Sequence, residues 1–109
     1  MGETITIETD HSPKDVECVF VKGGLAVHEY PLGCFNNWTI THVASGWAIS
    51  KGIASRDIAI EAAHDLLTIA DWTKAKDELL ADVETIREAA RPIFKHHGIY
   101  FASDYGRRA

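Results

Sequence analysis

No apolar run in this sequence approaches the roughly 18 residues that a membrane-spanning helix needs, so no membrane segment is expected. Cysteine is scarce: Cys18 and Cys34 stand alone, sixteen apart. In a reducing compartment they read as two free thiols, with a disulfide as the alternative. Basic residues are outnumbered, eleven Lys and Arg against sixteen Asp and Glu, for a net charge of −5. That argues against a nucleic-acid binder, which carries a basic patch to neutralise phosphates. It leaves room for docking on a basic partner. Residues 1–10 are acidic and strand-like, with neither a basic nor an apolar leader segment, so no secretory signal is expected and a cytoplasmic placement follows. Catalytic signatures are missing too. Gly23, Gly24 and Gly52 belong to no phosphate-binding loop, and Ser45 lies in a hairpin turn without a Gly-x-Ser-x-Gly elbow. No Cys-x-x-Cys or His-x-x-x-His spacing marks a zinc site, and no cofactor is expected.

What the chain does have is patterning, in two halves. Residues 3–9 alternate at period two and read as a first strand, broken by the Asp-His-Ser-Pro turn that follows. Residues 16–21 and 25–30 are β-rich and flank Gly23-Gly24, a pair suited to the positive φ angles of a tight hairpin. With those two glycines as the loop, Phe20 faces Val27 and Cys18 faces Glu29. Neither face is cleanly polar, so the hairpin is either covered on both sides or bulged. After a loop at 31–37 the stretch "NWTITHVASGWAIS" alternates sharply. With Ser45-Gly46 as its turn, Trp38, Ile40, His42, Trp47, Ile49 and Ile53 share one face. Thr39, Thr41, Val43, Ala48 and Ser50 share the other, which is mild enough to meet water. A slip by one residue would exchange the two sets, so the register is expected to be fixed.

From Ser55 onward the period becomes helical. Ser55 is an N-cap candidate with Asp57 in the first turn, and Ala59, Ala63, Leu66, Leu67 and Ala70 form an apolar stripe in a helix expected from 56 to 72. Asp71 or Thr73 could cap a second helix, in which Leu79, Val83, Ile86, Ala90 and Ile93 repeat. Pro92 is expected to kink or end it, and Gly98 to stop it. Residues 99–101 could form a short added strand, and 103–109 a loose tail. The expected fold is one α+β domain over residues 1–109: an antiparallel sheet of four or five strands (about 3–53) followed by two helices (about 56–97) packed on one face.

His42, alone among isoleucines and tryptophans, reads as a neutral core imidazole bonded to a backbone carbonyl or a nearby Thr or Asp; a general base or ligand is the alternative. Glu61 and His64 form an i, i+3 pair of the kind di-metal helical bundles use, but only one copy occurs. With His96, which precedes His97 and Gly98, they are the weak metal candidates. Binding features are richer. Trp38, Trp47, Trp72 and Tyr30 are large for so small a chain, and aromatics concentrate interface energy. Trp38 reads as core, whereas Trp47 beside a turn and Trp72 at a helix corner are expected to be partly exposed. Asp57, Glu61, Asp65, Asp77, Glu78, Asp82 and Glu84 form a solvated outer face or a docking surface for a basic partner. Trp47, Trp72, Asp65, Asp77, Glu78 and Asp82 are the candidate contact residues.

The block "WTITHVASGWAI", followed by a helix entering near Ser55 and closing on Ala70-Asp71-Trp72, resembles small proteins carried by bacteriophages and other mobile elements. It covers about a third of the chain and consists of hydrophobic-pattern signatures. That set has no catalytic residues to carry over. The resemblance implies a context: short acidic phage proteins that bind and block or redirect a host complex, CRISPR effectors and other defence machinery among them. The expected function is therefore a non-enzymatic, acidic binding protein that modulates or inhibits a host protein complex, with a homodimer as one form it could take. The alternatives are a small domain built on histidine and cysteine, as enzyme or metal binder, and a structural phage subunit.

Overall fold

The computed structural model describes residues 3–7, 13–29 and 38–98, which hold six strands and three helices. The expectations for Tyr30, Cys34, residues 99–101 and the C-terminal tail lie outside the described residues. β1 (Glu3–Ile7) pairs antiparallel with β2 (Lys14–Cys18), Ile5 opposite Val16. The chain bends at Val19 and enters a four-stranded antiparallel sheet in simple order: β3 (Phe20–Lys22), β4 (Leu25–Glu29), β5 (Trp38–His42) and β6 (Trp47–Ile53). Then come α1 (Arg56–Leu66), α2 (Lys76–Ala81) and α3 (Val83–His97). Strands followed by helices is the α+β order read from the sequence. The sheet count differs, because the bend at Val19 splits one expected strand into members of two sheets.

The consequence is that the four-stranded sheet is covered on both sides. Leu25, Val27, Ile40, Ile49 and Ile53 face the helices and meet Ala59, Ala62, Ala63, Leu66, Leu79, Ile86, Ala90 and Phe94. Ala26 faces the other way, onto Ile7, Val16 and Cys18 of the small sheet. Period-two alternation in β4 therefore buries both sets, and Leu25 through His28 are all inaccessible. Thr39, Thr41 and Ser50, expected to meet water, are buried as well.

The first hairpin turn is the one read from the sequence, and the second is longer. Gly23-Gly24 is the two-residue loop, with φ of 59° and 92°, and Phe20 does oppose Val27. Cys18, however, pairs with Glu3 of β1 and not with Glu29. In the second hairpin His42 pairs with Trp47, so the loop holds residues 43–46 and not only Ser45-Gly46. The Gly46 N–H donates to the His42 carbonyl at 2.8 Å and closes it. Register shifts flank Ile40, yet Trp38, Ile40, Ile49 and Ile53 all reach the helix-facing core as expected, and Val43 packs on the other side.

Ser55 caps α1 as expected, its hydroxyl accepting from the amides of Asp57 and Ile58. α1 ends at Leu66, short of the expected Trp72. Tight i→i+3 turns follow, Thr68 to Asp65 and Ile69 to Leu66. The Trp72 indole folds back to donate to the Leu66 carbonyl at 2.7 Å, satisfying a helix-end acceptor that a longer helix would have used. Asp71 caps a turn, not a helix: its carboxylate accepts from the Thr73 amide and hydroxyl. α2 begins later, after Ala75, whose amide donates to the Glu78 carboxylate at 3.3 Å. The single second helix of the sequence reading is broken at Asp82 into α2 and α3. Pro92 neither ends nor replaces α3, which runs on to His97 and stops at Gly98 with φ 68°. Pro92 and Glu88 are exposed, so the carbonyl that loses its i+4 donor is in reach of water.

At Gly24 the first hairpin lies close against the backbone of the α1–α2 connection. A Cβ built there would lie 2.2 Å from the Trp72 carbonyl oxygen and 2.7 Å from the Thr73 nitrogen. At Gly23 the corresponding contact is the flexible tip of Leu67. Gly24→Ala is therefore expected to cost roughly 3 kcal/mol, combining a positive φ with a backbone clash, and Gly23→Ala only about 1 kcal/mol. Urea denaturation of the two variants checks the order; equal losses would contradict the close approach at Gly24.

Candidate functional site

His42 is fully buried, and both ring nitrogens are occupied. Nε2 lies 2.8 Å from the Lys74 carbonyl oxygen, which can only accept, so Nε2 carries the proton. Nδ1 lies 2.8 Å from the Ser45 hydroxyl, which donates to it; the same hydroxyl reaches the His42 carbonyl only at 3.5 Å. Burial pushes the His42 pKa below its ordinary value and the Lys76 ammonium pushes the same way, against the pull of the Lys74 and Trp72 carbonyls. The ring is a neutral strut. It ties the tip of the second hairpin to the connection between α1 and α2, and it stands edge-on to Trp72 at 6.5 Å.

A second buried histidine, His28, escaped the sequence reading. Its Nδ1–H donates to the Glu29 carbonyl at 2.8 Å, and Nε2 accepts from the Thr41 hydroxyl at 2.7 Å. Burial lowers its pKa as well. His28 and His42 thus carry their protons on opposite nitrogens. The sequence signal was the pairing of Ala26 with His28 on one face of a strand whose other face is Leu25 and Val27. Beside them the Thr39 hydroxyl oxygen is buried without a hydrogen-bond partner.

The candidate contact residues scatter differently from expectation. Trp72 is a correction: it is buried, not partly exposed, because the α1–α2 connection folds the indole under itself toward Leu66. Trp47 opens β6, and its side chain is not among those described. Asp65 is exposed near the end of α1 and accepts from His97 Nε2 at 2.8 Å, joining α1 to α3. Asp77, Glu78 and Asp82 are all exposed on or beside α2. The weak metal candidates do not gather. Glu61, His64 and His96 are exposed, and the His64 ring packs edge-on against Phe20 at 4.9 Å. His96 stacks edge-on against His97. Among the described residues no three His, Cys, Asp or Glu side chains are grouped to hold a metal ion. Cys18 is buried, and desolvation, helped by Glu3 and Glu17, pushes its thiol up to about 11. A thiol so placed is a poor nucleophile.

Two concavities adjoin along residues 67–86. The larger, about 630 Å³ and open, runs over Lys22, Gly23 and the connection from Leu67 to Thr73. The smaller, about 150 Å³, lies between that connection and the α2–α3 corner. Its floor is Leu79 and Ile86, both nearly inaccessible, with Ile69 and Ala70 beside them. Asp71, Glu78 and Asp82 ring it, with Lys74 and Thr85. The Thr73 hydroxyl and amide hold the Asp71 carboxyl below its ordinary range, so it stays charged. Lys74 and Thr85 were not singled out by the sequence, and Asp71 only as a helix cap, since an exposed polar residue in a turn carries no signal of the pocket beside it.

What fold and site define together is a small α+β domain with two hydrogen-bonded core histidines and an acid-rimmed pocket at its helical corner. No described helix is long and apolar enough to cross a membrane. No protein-family model matches the chain, and no curated protein or solved structure matches it either.

Proposed function

We propose that the protein is a non-enzymatic binding protein that docks its acidic helical corner onto a basic surface of a larger protein complex in a bacterial host and modulates or inhibits that complex. The observation that carries this reading is the exposure of Asp77, Glu78 and Asp82 together on six residues of chain, beside an apolar pocket floor. Opposite charge steers encounter and fixes orientation, while desolvated apolar contact supplies affinity. The buried histidines are engaged in internal hydrogen bonds, whereas the acids on and beside α2 are exposed to a partner. The resemblance of residues 38–72 to phage-carried proteins supports a host complex as the target, a CRISPR effector or another defence assembly being the model case.

Affinity purification from a bacterial lysate tests it, comparing the wild-type chain with the triple variant Asp77→Asn, Glu78→Gln, Asp82→Asn. The expected result is a stoichiometric partner complex whose recovery falls about tenfold in the variant and falls likewise in wild type as salt is raised. No partner, or a partner held equally by the variant, would sink the reading. Chromatography of the purified chain reports in the same experiment whether it self-associates.

A further inference from the structure

We propose that the pocket between the α1–α2 connection and the α2–α3 corner receives one arginine side chain of a partner polypeptide. This rests on the binding-protein reading and names the chemistry of its partner. At about 150 Å³ the pocket is half the size at which small-molecule sites begin, and suits a single extended side chain. Its floor is apolar and fixed by the core: Leu79 and Ile86 belong to the main hydrophobic cluster. Its rim carries three carboxylates against one ammonium. An aliphatic stem lying on the floor with a planar, multiply donating head at the rim meets both halves of that description, and among the ordinary side chains arginine has this build.

Asp82 is the carboxylate free to pair. It occupies the N-cap position of α3, where an aspartate ordinarily accepts from the first amides of the helix, but its side chain makes no capping bond. Asp71 is engaged with Thr73, and Glu78 with the Ala75 amide. Those bonds fix the two carboxylates in place and leave each further lone pairs to accept with. The carbonyl end of α2 and the amide end of α3 meet at Asp82 and oppose one another, so side-chain charge sets the sign of the local field. The Lys74 backbone, on the rim, is held by His42 Nε2–H, so the pocket wall is braced from the core.

The test is NMR titration of the 15N-labelled chain with a nonapeptide of alternating glycine and arginine, at low salt. Amide shifts are expected to centre on residues 69–86. Asp82→Asn should weaken binding at least fivefold, and the peptide with lysine in place of arginine about threefold. Shifts spread over all acidic surfaces, an unchanged affinity in Asp82→Asn, or no binding would overturn the proposal. The two failures are distinguishable. A lysate partner lost in the triple variant but retained by Asp82→Asn alone would keep the binding-protein reading and remove the arginine pocket. Peptide capture at 69–86 without any lysate partner would do the reverse.

Discussion

Replacing Trp72 by alanine is expected to lower the free energy of unfolding by about 4 kcal/mol and the Tm by at least ~15 °C. The side chain is wholly inaccessible and belongs to the main core cluster, so its removal opens the largest cavity any single substitution among the fully buried side chains would leave. It also strips the Leu66 carbonyl of the indole donor at the point where α1 ends. Against a typical domain stability of roughly 5–15 kcal/mol, a loss of that size leaves a chain near its unfolding threshold. Trp72→Phe separates the two contributions. It keeps most of the apolar volume and forfeits the hydrogen bond, and should cost about 1–2 kcal/mol. Urea denaturation with linear extrapolation measures both. A Trp72→Ala chain within ~1 kcal/mol of wild type would mean that the indole is not in the core.

The second large effect is on pH. His28 and His42 both have folded-state pKa values below the ordinary 6.5, chiefly through burial. Above that value neither state binds the proton, and neither ring makes stability depend on pH. As pH falls below about 6.5 the unfolded chain takes up protons that the folded chain refuses, so stability drops until the folded pKa is reached. The slope is at most about 1.4 kcal/mol per pH unit for each ring and about 2.7 for both together. As pH falls below 6.5, wild type is therefore expected to lose stability, and the variants His28→Gln and His42→Gln, each less stable at pH 7.5, should each show a shallower slope. A wild-type slope indistinguishable from that of the variants would show that the rings are not desolvated.

Much of the fold was legible because burial leaves a periodic trace. Alternation in β5 and β6 identified the helix-facing set, and Ala59, Ala63 and Leu66 marked the buried side of α1. Cap chemistry at Ser55 and Gly98 fixed two helix ends. Several of the failures share a cause: they depend on groups that come together from different elements. Trp72 looked exposed because it follows a helix and precedes polar residues; only the return of its indole to Leu66 and the pressure of its backbone on Gly24 bury it. The threonine face of β5 looked wet because nothing local says that β1 and β2 add a second layer to this sheet. His42 could be read as a core imidazole from its neighbours, yet its partner at Lys74 lies 32 residues away. The pocket was legible only in part. Glu78 and Asp82 were named as surface acids, but no spacing rule brings Asp71 and Lys74 to face them across a turn.

That division of labour, histidines for the fold and surface acids for recognition, turns on the state of two rings. Long-range 1H–15N NMR of the imidazoles reads it directly. The expected result is the proton of His42 on Nε2 and that of His28 on Nδ1, with both rings titrating below the ordinary value and exchanging slowly with solvent. A His42 that titrates at or above its ordinary value, with Nδ1 open to water, would contradict it and make the ring at the second hairpin a base available for chemistry.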